Sequence, residues 1–444
     1  MRTTVTILAA LCACTIGCGE DDSNAGGGGG GPGGSGGAAT GGAAGGGTGG
    51  AAAEPGSGGV AGSGGLGTGG GGTGGTSSLL TPKGTVSAAS CARADVQAAL
   101  QAASPGYAVM VPAGKCDWSP GVSVSGTQLI GAGSDPAGTE ITAGLVTLTK
   151  HASEYTRLSG FRFTGQNAHL DVGGAATHKP YVVDHNYFRM DVADKALQLS
   201  ANGGVLHHNE LIALSWTNAD VFNIPTNEDW SQGPSFGMDD TNGERNIYLE
   251  DNTFTNVAET LPDGDVGSRL VIRNNTYVDS SIVFHGGYPT DSSPNGGTRH
   301  FEVYGNVFQR ISNSIPINKW VWVRGSTGVI ANNQMDRADS PDGSSYPNKT
   351  EILLTVGCPD PYPVQYQVGQ SSATAQNPPP HPLAIFGNTG AGTKDANFIS
   401  VAGSSTAGPP CNNADAYIKP GRDYVTSNAW GWTPYTYPHP LAAP

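Results

Sequence analysis

A short pattern of apolar and polar positions recurs along the chain from residue 182 onward. Each copy has two apolar residues, two variable residues, an asparagine, one variable residue and a final apolar residue. Successive asparagines are 23, 43, 23, 31, 27 and 55 residues apart. Clear copies occupy residues 182–188, 205–211, 248–254 and 271–277, and looser copies surround Asn306, Asn333 and Asn388.

This pattern predicts a strand before each asparagine and a return toward the interior after it. Apolar side chains three and five positions before the asparagine alternate with mixed positions, as in a strand. Asparagine tolerates the left-handed backbone of a turn, and stacked asparagines form a hydrogen-bonded ladder. We therefore expect a solenoid that is capped at both ends. The short spacings indicate one coil each, and those of 43 and 55 indicate two coils or one coil with a long loop.

The two ends of the repeat region add a resemblance to a known superfamily. Residues 95–103 predict a short amphipathic helix, and residues 107–114 predict an apolar strand ending in a turn. This opening, the Val-x-x-His-Asn-x-apolar coils at 182–188 and 205–211, and the closing stretch 431–441 resemble proteins of the pectate-lyase-like superfamily.

The resemblance extends from about residue 79 to the end of the chain. It implies an all-β fold, a right-handed single-stranded parallel β-helix with a short N-terminal capping helix. The Arg-x-Pro-x-x-Arg segment of the calcium-dependent pectate lyases is absent from the sequence. The resemblance therefore implies the fold more strongly than any one activity.

The first 18 residues resemble a bacterial lipoprotein signal peptide. Arg2 gives a positive start, and the apolar stretch 5–13 is too short to span a bilayer. An acidic and glycine-rich run follows Cys18, and the resemblance implies that this cysteine carries the lipid. Lipidation at Cys14 and plain secretion are the alternatives. We expect an exported protein, anchored through its lipid to the bacterial outer membrane or cell surface.

Composition divides the remaining chain into two parts. Of the 69 glycines, 31 lie between residues 19 and 78, in a segment with almost no apolar side chains. Such a segment cannot bury enough surface to offset its ordering entropy, so residues 19–78 are predicted to be a flexible tether. Residues 79–444 are predicted to form the β-helix domain with a loop-rich C-terminal cap. Capped ends favour a monomer.

Charge and cysteine content narrow the range of partners. The formal net charge of −14 disfavours nucleic-acid binding, and it means that an acidic glycan must meet a local basic patch. Four cysteines follow the signal, and an even number in an exported domain suggests two disulfides. Proximity favours the pairs Cys91–Cys116 and Cys358–Cys411, and free buried thiols are the alternative.

Stacked coils should place reactive side chains in columns, because neighbouring strands lie about 4.8 Å apart. The outward position two residues before the asparagine carries Glu250, Arg273 and Tyr304, and the position six before it carries Arg269 and His300. Long segments beside these coils supply a further set of charged and aromatic side chains: Asp263, Asp265, His285, Arg299, Lys319, Trp320, Trp322 and Arg324.

This mixture of side chains predicts a lyase that cleaves a uronate-containing polysaccharide. β-Elimination requires neutralisation of the sugar carboxylate, removal of the neighbouring proton and protonation of the leaving oxygen. We expect Arg269 or Arg273, together with Lys319, to act on the carboxylate and the proton. We expect His285 or His300 to be the acid.

The remaining candidates are assigned to binding. Asp263 and Asp265 are predicted to hold Ca²⁺, which is another way of neutralising the carboxylate. Sugar contacts, including stacking on the indole rings, are predicted for Glu250, Arg299, Tyr304, Trp320, Trp322 and Arg324.

Each assignment has an ordinary alternative. The Asp263–Asp265 segment is also a turn sequence, Arg273 opposite Glu250 is also a cross-strand ion pair, and Trp322 is also a side chain packed under a loop. Two other functions stay open: a glycoside hydrolase on the same fold, and a non-catalytic surface protein that binds glycans or mediates adhesion.

Overall fold

The computed structural model describes the folded part of the chain with several gaps. All described residues belong to one compact unit that begins at Thr73. The predicted signal, nearly all of the predicted tether, and Cys18, Cys358 and Cys411 lie outside the described residues. The described residues are 78–165, 169–190, 196–213, 222–226, 228, 242–255, 262–286, 297–311, 319–336, 351–356, 367–370, 376–390, 398–403, 417–428 and 430–442.

Three parallel sheets, here called A, B and C, run along the described chain, and successive coils add one strand to each. Sheet A contains Thr85–Ser87, Ala108–Met110, Gln128–Ile130, Thr156–Ser159, Tyr181–Asp184, Gly204–His207, Ile247–Glu250, Arg269–Arg273, His300–Tyr304, Gly328–Ala331, Leu383–Phe386 and Tyr424–Val425. Sheet B contains Gly114–Asp117, Thr139–Ala143, Phe161–Phe163, Tyr187–Met190, Glu210–Ala213, Thr253–Thr255, Thr276–Val278, Val307–Gln309, Gln334–Met335 and Thr389–Gly390. Sheet C contains Val122–Ser125, Val146–Thr149, Leu170–Gly173, Leu197–Leu199, Phe222–Ile224, Asp263–Gly264, Ile282–Phe284, Val321–Val323, Ile352–Val356 and Ile399–Gly403.

The interior of the three sheets is a single apolar core. The residues two positions after the repeat asparagines, from Asn186 to Asn333, point into it, as predicted. The aromatic ones among them stack from coil to coil. Phe254 and Tyr277 have ring centroids 4.7 Å apart, and Tyr277 and Phe308 have centroids 4.8 Å apart. The predicted all-β, single-stranded parallel β-helix is confirmed.

An N-terminal helix and a disulfide close the first coil. The helix spans Arg93–Ala102, close to its predicted bounds, and it buries Val96 and Ala99. Before it, a short 3-10 helix spans Ser78–Leu80. Cys91 is bonded to Cys116 with a Cα–Cα distance of 6.0 Å, which confirms this predicted pair. The bridge fastens the start of the helix to the first strand of sheet B.

An asparagine ladder runs along the turn between sheets A and B. The backbone N–H and the Nδ2 of each asparagine donate to the Oδ1 of the asparagine in the next coil, at 2.8–3.1 Å. Each Nδ2 also donates to a backbone carbonyl of the preceding coil. The predicted ladder is therefore confirmed, and its members are Asn186, Asn209, Asn252, Asn275, Asn306, Asn333 and Asn388.

The residue with left-handed backbone in this turn is the one directly before the asparagine. The prediction that the asparagine itself adopts this conformation is wrong. That position has a φ of 54–67° in every coil of the ladder. Because each asparagine side chain holds the ladder, its backbone stays in the ordinary region and its neighbour makes the turn. The residues at this position are His185, His208, Asp251, Asn274, Gly305, Asn332 and Gly387.

The long spacings of 43 and 55 residues are single coils with inserted segments. Gly204–His207 pairs directly with Ile247–Glu250, and Gly328–Ala331 pairs directly with Leu383–Phe386. Because the paired strands are direct neighbours in sheet A, each long spacing corresponds to one coil.

The C-terminal segment 430–442, here called the strap, lies along the outer face of sheet A. Trp432 contacts Phe386 and Tyr304 edge-on, with ring centroids 6.0 and 5.1 Å apart. Further along the strap, the His439 backbone N–H donates to Oε1 of Glu250 at 2.9 Å. Leu441 joins an apolar cluster that includes Leu80, Val182 and Val205. The strap therefore crosses several coils, from a late coil back to early ones.

Within the parts of the chain that the structure describes, no helix has the length and apolar character needed to cross a membrane.

Candidate functional site

The outward face of sheet C carries a polar column across its central coils. Strand register aligns Asp171 with Gln198, Gln198 with Asn223, and Asn223 with Asp263. The residues that flank Asp171, Gln198 and Asn223 point into the core, so these three polar side chains face outward, and Asp263 continues their register. Asn223 Nδ2 donates to Oδ2 of Asp263 at 3.3 Å. The same column continues through Val283 to Trp322.

His285 follows the next strand of this sheet and stands beside the column. Its Nε2 lies 3.2 Å from Oδ1 of Asp263 and 3.2 Å from Nη1 of Arg324. Backbone bonds fix this geometry, because His285 N–H donates to the Gly264 carbonyl at 2.8 Å. The next residue must be glycine, since a Cβ on Gly286 would lie 2.2 Å from the Arg324 carbonyl oxygen.

Trp322 and two cations complete the cluster. Nζ of Lys319 is 4.1 Å from the centroid of the Trp322 ring, and the guanidinium carbon of Arg324 is 5.0 Å from it. Trp322 Nε1 donates to the hydroxyl of Thr355 at 3.0 Å, which fixes the indole. Contacts of this kind hold cations in place over an aromatic ring. We call His285, Asp263, Arg324, Lys319 and Trp322 the His285 cluster.

The electrostatics of the cluster keep its imidazole neutral near neutral pH. Burial, reinforced by the positive charge of Arg324 and partly offset by Asp265, lowers the pKa of His285 to about 4. About a quarter of the side chain stays exposed (26%), whereas Asp263 is almost fully buried (1%). A neutral, reachable imidazole can accept a proton, and the neighbouring carboxylate would stabilise the imidazolium that results.

Several other predicted site residues lie elsewhere, in or next to sheet A. Arg269 and Arg299 are buried where the chain passes from sheet C to sheet A, and both bind Glu228. Nε of Arg269 is 2.7 Å from the Glu228 carboxylate and Nη1 of Arg299 is 3.1 Å from it. Arg245 also pairs with this carboxylate. His300 is buried beside Glu302, with Nε2 3.4 Å from Oε1.

Glu250, Arg273 and Tyr304 do share one outward column, as predicted, but the strap covers it. Arg273 Nη2 lies 2.6 Å from Oε2 of Glu250, and both side chains are fully buried. The same guanidinium donates to the Tyr304 hydroxyl and to the backbone carbonyls of Tyr435 and Thr436 at 2.9–3.0 Å. Although burial opposes the charge, the Glu250 carboxylate raises the pKa of Arg273 above its ordinary value.

Two further predicted site residues are engaged within the protein itself. Trp320 is completely buried in the core, so neither face of its ring is available for a sugar. Asp265 accepts a hydrogen bond from the Val266 N–H at 2.8 Å, as a turn residue does. Among the described residues, no group of three or more His, Cys, Asp or Glu side chains could hold a metal ion. The Ca²⁺ site predicted at Asp263 and Asp265 stays a prediction.

Sequence reasoning missed Asp171, Gln198 and Asn223. The available signal was an apolar–polar–apolar triplet in each strand, for example Leu197-Gln198-Leu199. These triplets lie outside the asparagine pattern, which guided the search toward sheet A.

The fold and the cluster define a single-stranded parallel β-helix with ionisable side chains on the outer face of one sheet. No protein-family model and no curated protein matches this sequence. A crystal structure of DFA-IIIase from Arthrobacter chlorophenolicus A6 in complex with GF2 matches with 11% sequence identity and a TM-score of 0.34, over 70% of this chain and 86% of that one. The same enzyme without its lid matches with 12% identity and a TM-score of 0.31, over the same shares. This likeness concerns the fold alone.

Proposed function

We propose that this protein is an exported polysaccharide-processing enzyme, and specifically a lyase that cleaves a uronate-containing polymer. The main observation that supports this proposal is the neutral His285 imidazole, which lies between Asp263 and Arg324 beside the polar column of sheet C. In this proposal the polymer lies along sheet C, in the direction in which coils stack. The partly exposed Arg324 neutralises the sugar carboxylate, and the buried Lys319 adds positive charge nearby. Both cations lie against the Trp322 ring.

The chemistry proposed for His285 is proton transfer. Arg324 turns from Nε2 to the sugar carboxylate, which frees the Nε2 lone pair. Nε2 then accepts the proton next to the carboxylate, the electron pair forms a carbon–carbon double bond, and the glycosidic carbon–oxygen bond breaks. The imidazolium, stabilised by Asp263, then returns the proton to the leaving oxygen. His285 therefore begins as a base, although the sequence favoured an acid, because its pKa of about 4 leaves it neutral at neutral pH.

Hydrolysis is the second candidate, and the two carboxylates of the sheet C column support it less well. A hydrolase needs two carboxyl groups about 5–10 Å apart. Asp171 and Asp263 share the column but are three strands apart, which corresponds to about 14 Å. A non-catalytic glycan-binding protein would use the same column without chemistry, and the assay below separates all three.

We expect the full chain to raise the absorbance of unsaturated uronates when incubated with pectate, alginate, glucuronan or chondroitin. His285→Ala should lower this rate by about 10²–10⁴-fold, whereas His151→Ala, outside the cluster, should leave it unchanged. In the wild type, kcat/KM should be level near neutral pH and fall below about pH 4, as the base becomes protonated. Parallel reactions with and without Ca²⁺ test the metal requirement.

The other outcomes of this assay decide against a lyase. New reducing ends without the absorbance would make the protein a hydrolase. Neither signal, with glycan binding intact, would make it a binding protein. Full activity in His285→Ala would remove the His285 cluster from the mechanism.

We also propose that Cys18 carries a lipid and that the enzyme works outside the cell. The signal-like residues 1–18 and the tether-like composition of 19–78 support this. Metabolic labelling with radioactive palmitate should mark the wild type and Cys14→Ser but not Cys18→Ser. Labelling that is lost only in Cys14→Ser would move the anchor, and no labelling at all would leave a secreted protein.

A further inference from the structure

A large cavity opens between the strap and the outer face of sheet A, away from the His285 cluster. Its volume is about 1090 Å³, and both the strap and sheet A line it. Pockets for small ligands commonly measure about 300–1,000 Å³, so this cavity has room for more than one sugar ring. Five aromatic side chains line it: Tyr155, Tyr248, Trp430, Trp432 and Tyr435.

Four of these rings are held in place by edge-on contacts with their neighbours. Trp432 is fixed by Tyr304 and Phe386, as described above. The ring centroids of Trp430 and His381 are 6.0 Å apart, with the rings nearly perpendicular. Tyr435 meets Tyr248 in the same way at 5.9 Å. Rigid aromatic rings lose little entropy when a ligand binds to them, which favours affinity.

The polar groups of the cavity carry both signs of charge. Lys179 and Glu244 are exposed at the lining, and Lys179 Nζ lies 5.6 Å from the Tyr155 ring centroid. Glu302 adds a buried carboxylate at the sheet A face. A polyanion would meet these carboxylates, and a purely apolar ligand would leave polar groups unsolvated. Aromatic rings with mixed polar groups suit the apolar faces and the hydroxyls of an uncharged sugar.

We propose that this cavity, here called the strap pocket, binds a neutral oligosaccharide. It is a second glycan site, on a different sheet from the His285 cluster, and it stands whether or not that cluster is catalytic. A polymer with neutral and acidic regions would bind the strap pocket through its neutral region. Its acidic region would then reach the His285 cluster at sheet C.

The test is calorimetric titration of the full chain with cellohexaose, xylohexaose, mannohexaose and maltohexaose, with oligogalacturonate as the acidic comparison. We expect saturable binding of at least one neutral hexasaccharide. Trp430→Ala and Tyr155→Ala should each weaken it by about tenfold, a loss of about 1.4 kcal/mol. Tyr437→Ala removes a strap aromatic that does not line the pocket, so it should retain the wild-type affinity. His285→Ala should also retain it, which separates this site from the proposed enzyme.

A second measurement needs no variant and covers the case in which the strap loosens on mutation. Hydroxyl-radical footprinting of the wild type should show Trp430, Trp432 and Tyr155 protected by the bound sugar, while Tyr437 stays reactive. The proposal is overturned if no neutral oligosaccharide binds. It is equally overturned if one binds without protecting these rings and with unchanged affinity in Trp430→Ala and Tyr155→Ala.

Discussion

Asn252→Ala is expected to lower the free energy of unfolding by about 3–5 kcal/mol. Oδ1 of Asn252 accepts hydrogen bonds from the backbone N–H and the Nδ2 of Asn209, both at 3.0 Å. Its own Nδ2 donates to the carbonyls of Leu206 and Glu250 and to Oδ1 of Asn275. Alanine would leave several of these buried groups without partners, in a place that water does not reach. Denaturant unfolding followed by circular dichroism measures the loss.

Asn388 offers a matched control at the end of the described ladder. It makes the same type of contacts, with Asn333 and with the Ile330 carbonyl, but it is only partly buried. Water can replace part of what alanine removes there, so Asn388→Ala should cost about 1–2 kcal/mol. Equal losses at the two positions would contradict the view that burial of the ladder makes it stabilising.

Arg273→Ala is expected to cost about 3–5 kcal/mol and to release the strap. The substitution leaves the Glu250 carboxylate fully buried without its ion-pair partner. It also removes the donors that hold the carbonyls of Tyr435 and Thr436. Denaturant unfolding should show the loss of stability, and limited proteolysis should show faster cleavage within the strap, residues 430–442.

Two control variants test whether the loss of stability in Arg273→Ala comes from the buried ion pair. Lys115 pairs with Glu140 at 2.9 Å but is 69% exposed, so Lys115→Ala should cost less than about 1 kcal/mol. The double variant Glu250→Leu with Arg273→Leu removes both charges and should recover part of the loss, because no lone buried charge remains. If Arg273→Ala cost no more than Lys115→Ala, the buried pair would not be what fastens the strap.

Much of the fold follows from the repeat, because each coil must bury apolar side chains against the coils on either side of it. The apolar positions, the asparagine ladder and the inward aromatic residues recur at fixed offsets, so they could be predicted from the sequence. The inserts could not, since a spacing of 43 or 55 residues fits either one coil or two. The left-handed position was also misplaced, because His, Asp, Asn and Gly all occupy it and no single residue type marks it.

The candidate site was harder to predict for two physical reasons. The number of residues from a ladder asparagine to the outward position of sheet C differs from coil to coil. The polar column of sheet C could therefore not be located by a fixed offset from the asparagines. In addition, Arg273 donates a hydrogen bond to the carbonyl of Tyr435, which is 162 residues away in the sequence. No local sequence pattern predicts such a contact. Columns that looked open to substrate, such as Glu250 with Arg273, are therefore closed by a remote segment.

The strap also changes how the whole molecule can open. In a simple solenoid each coil contacts only its neighbours, so coils can fray one at a time from either end. Here a single segment contacts Phe386, Tyr304, Arg273 and Glu250, which belong to four different coils. Opening one of these coils disturbs the segment that holds the other three, so their opening free energies become coupled. Native-state hydrogen exchange would then show these coils exchanging as one cooperative unit, in a fold whose local architecture favours independent steps.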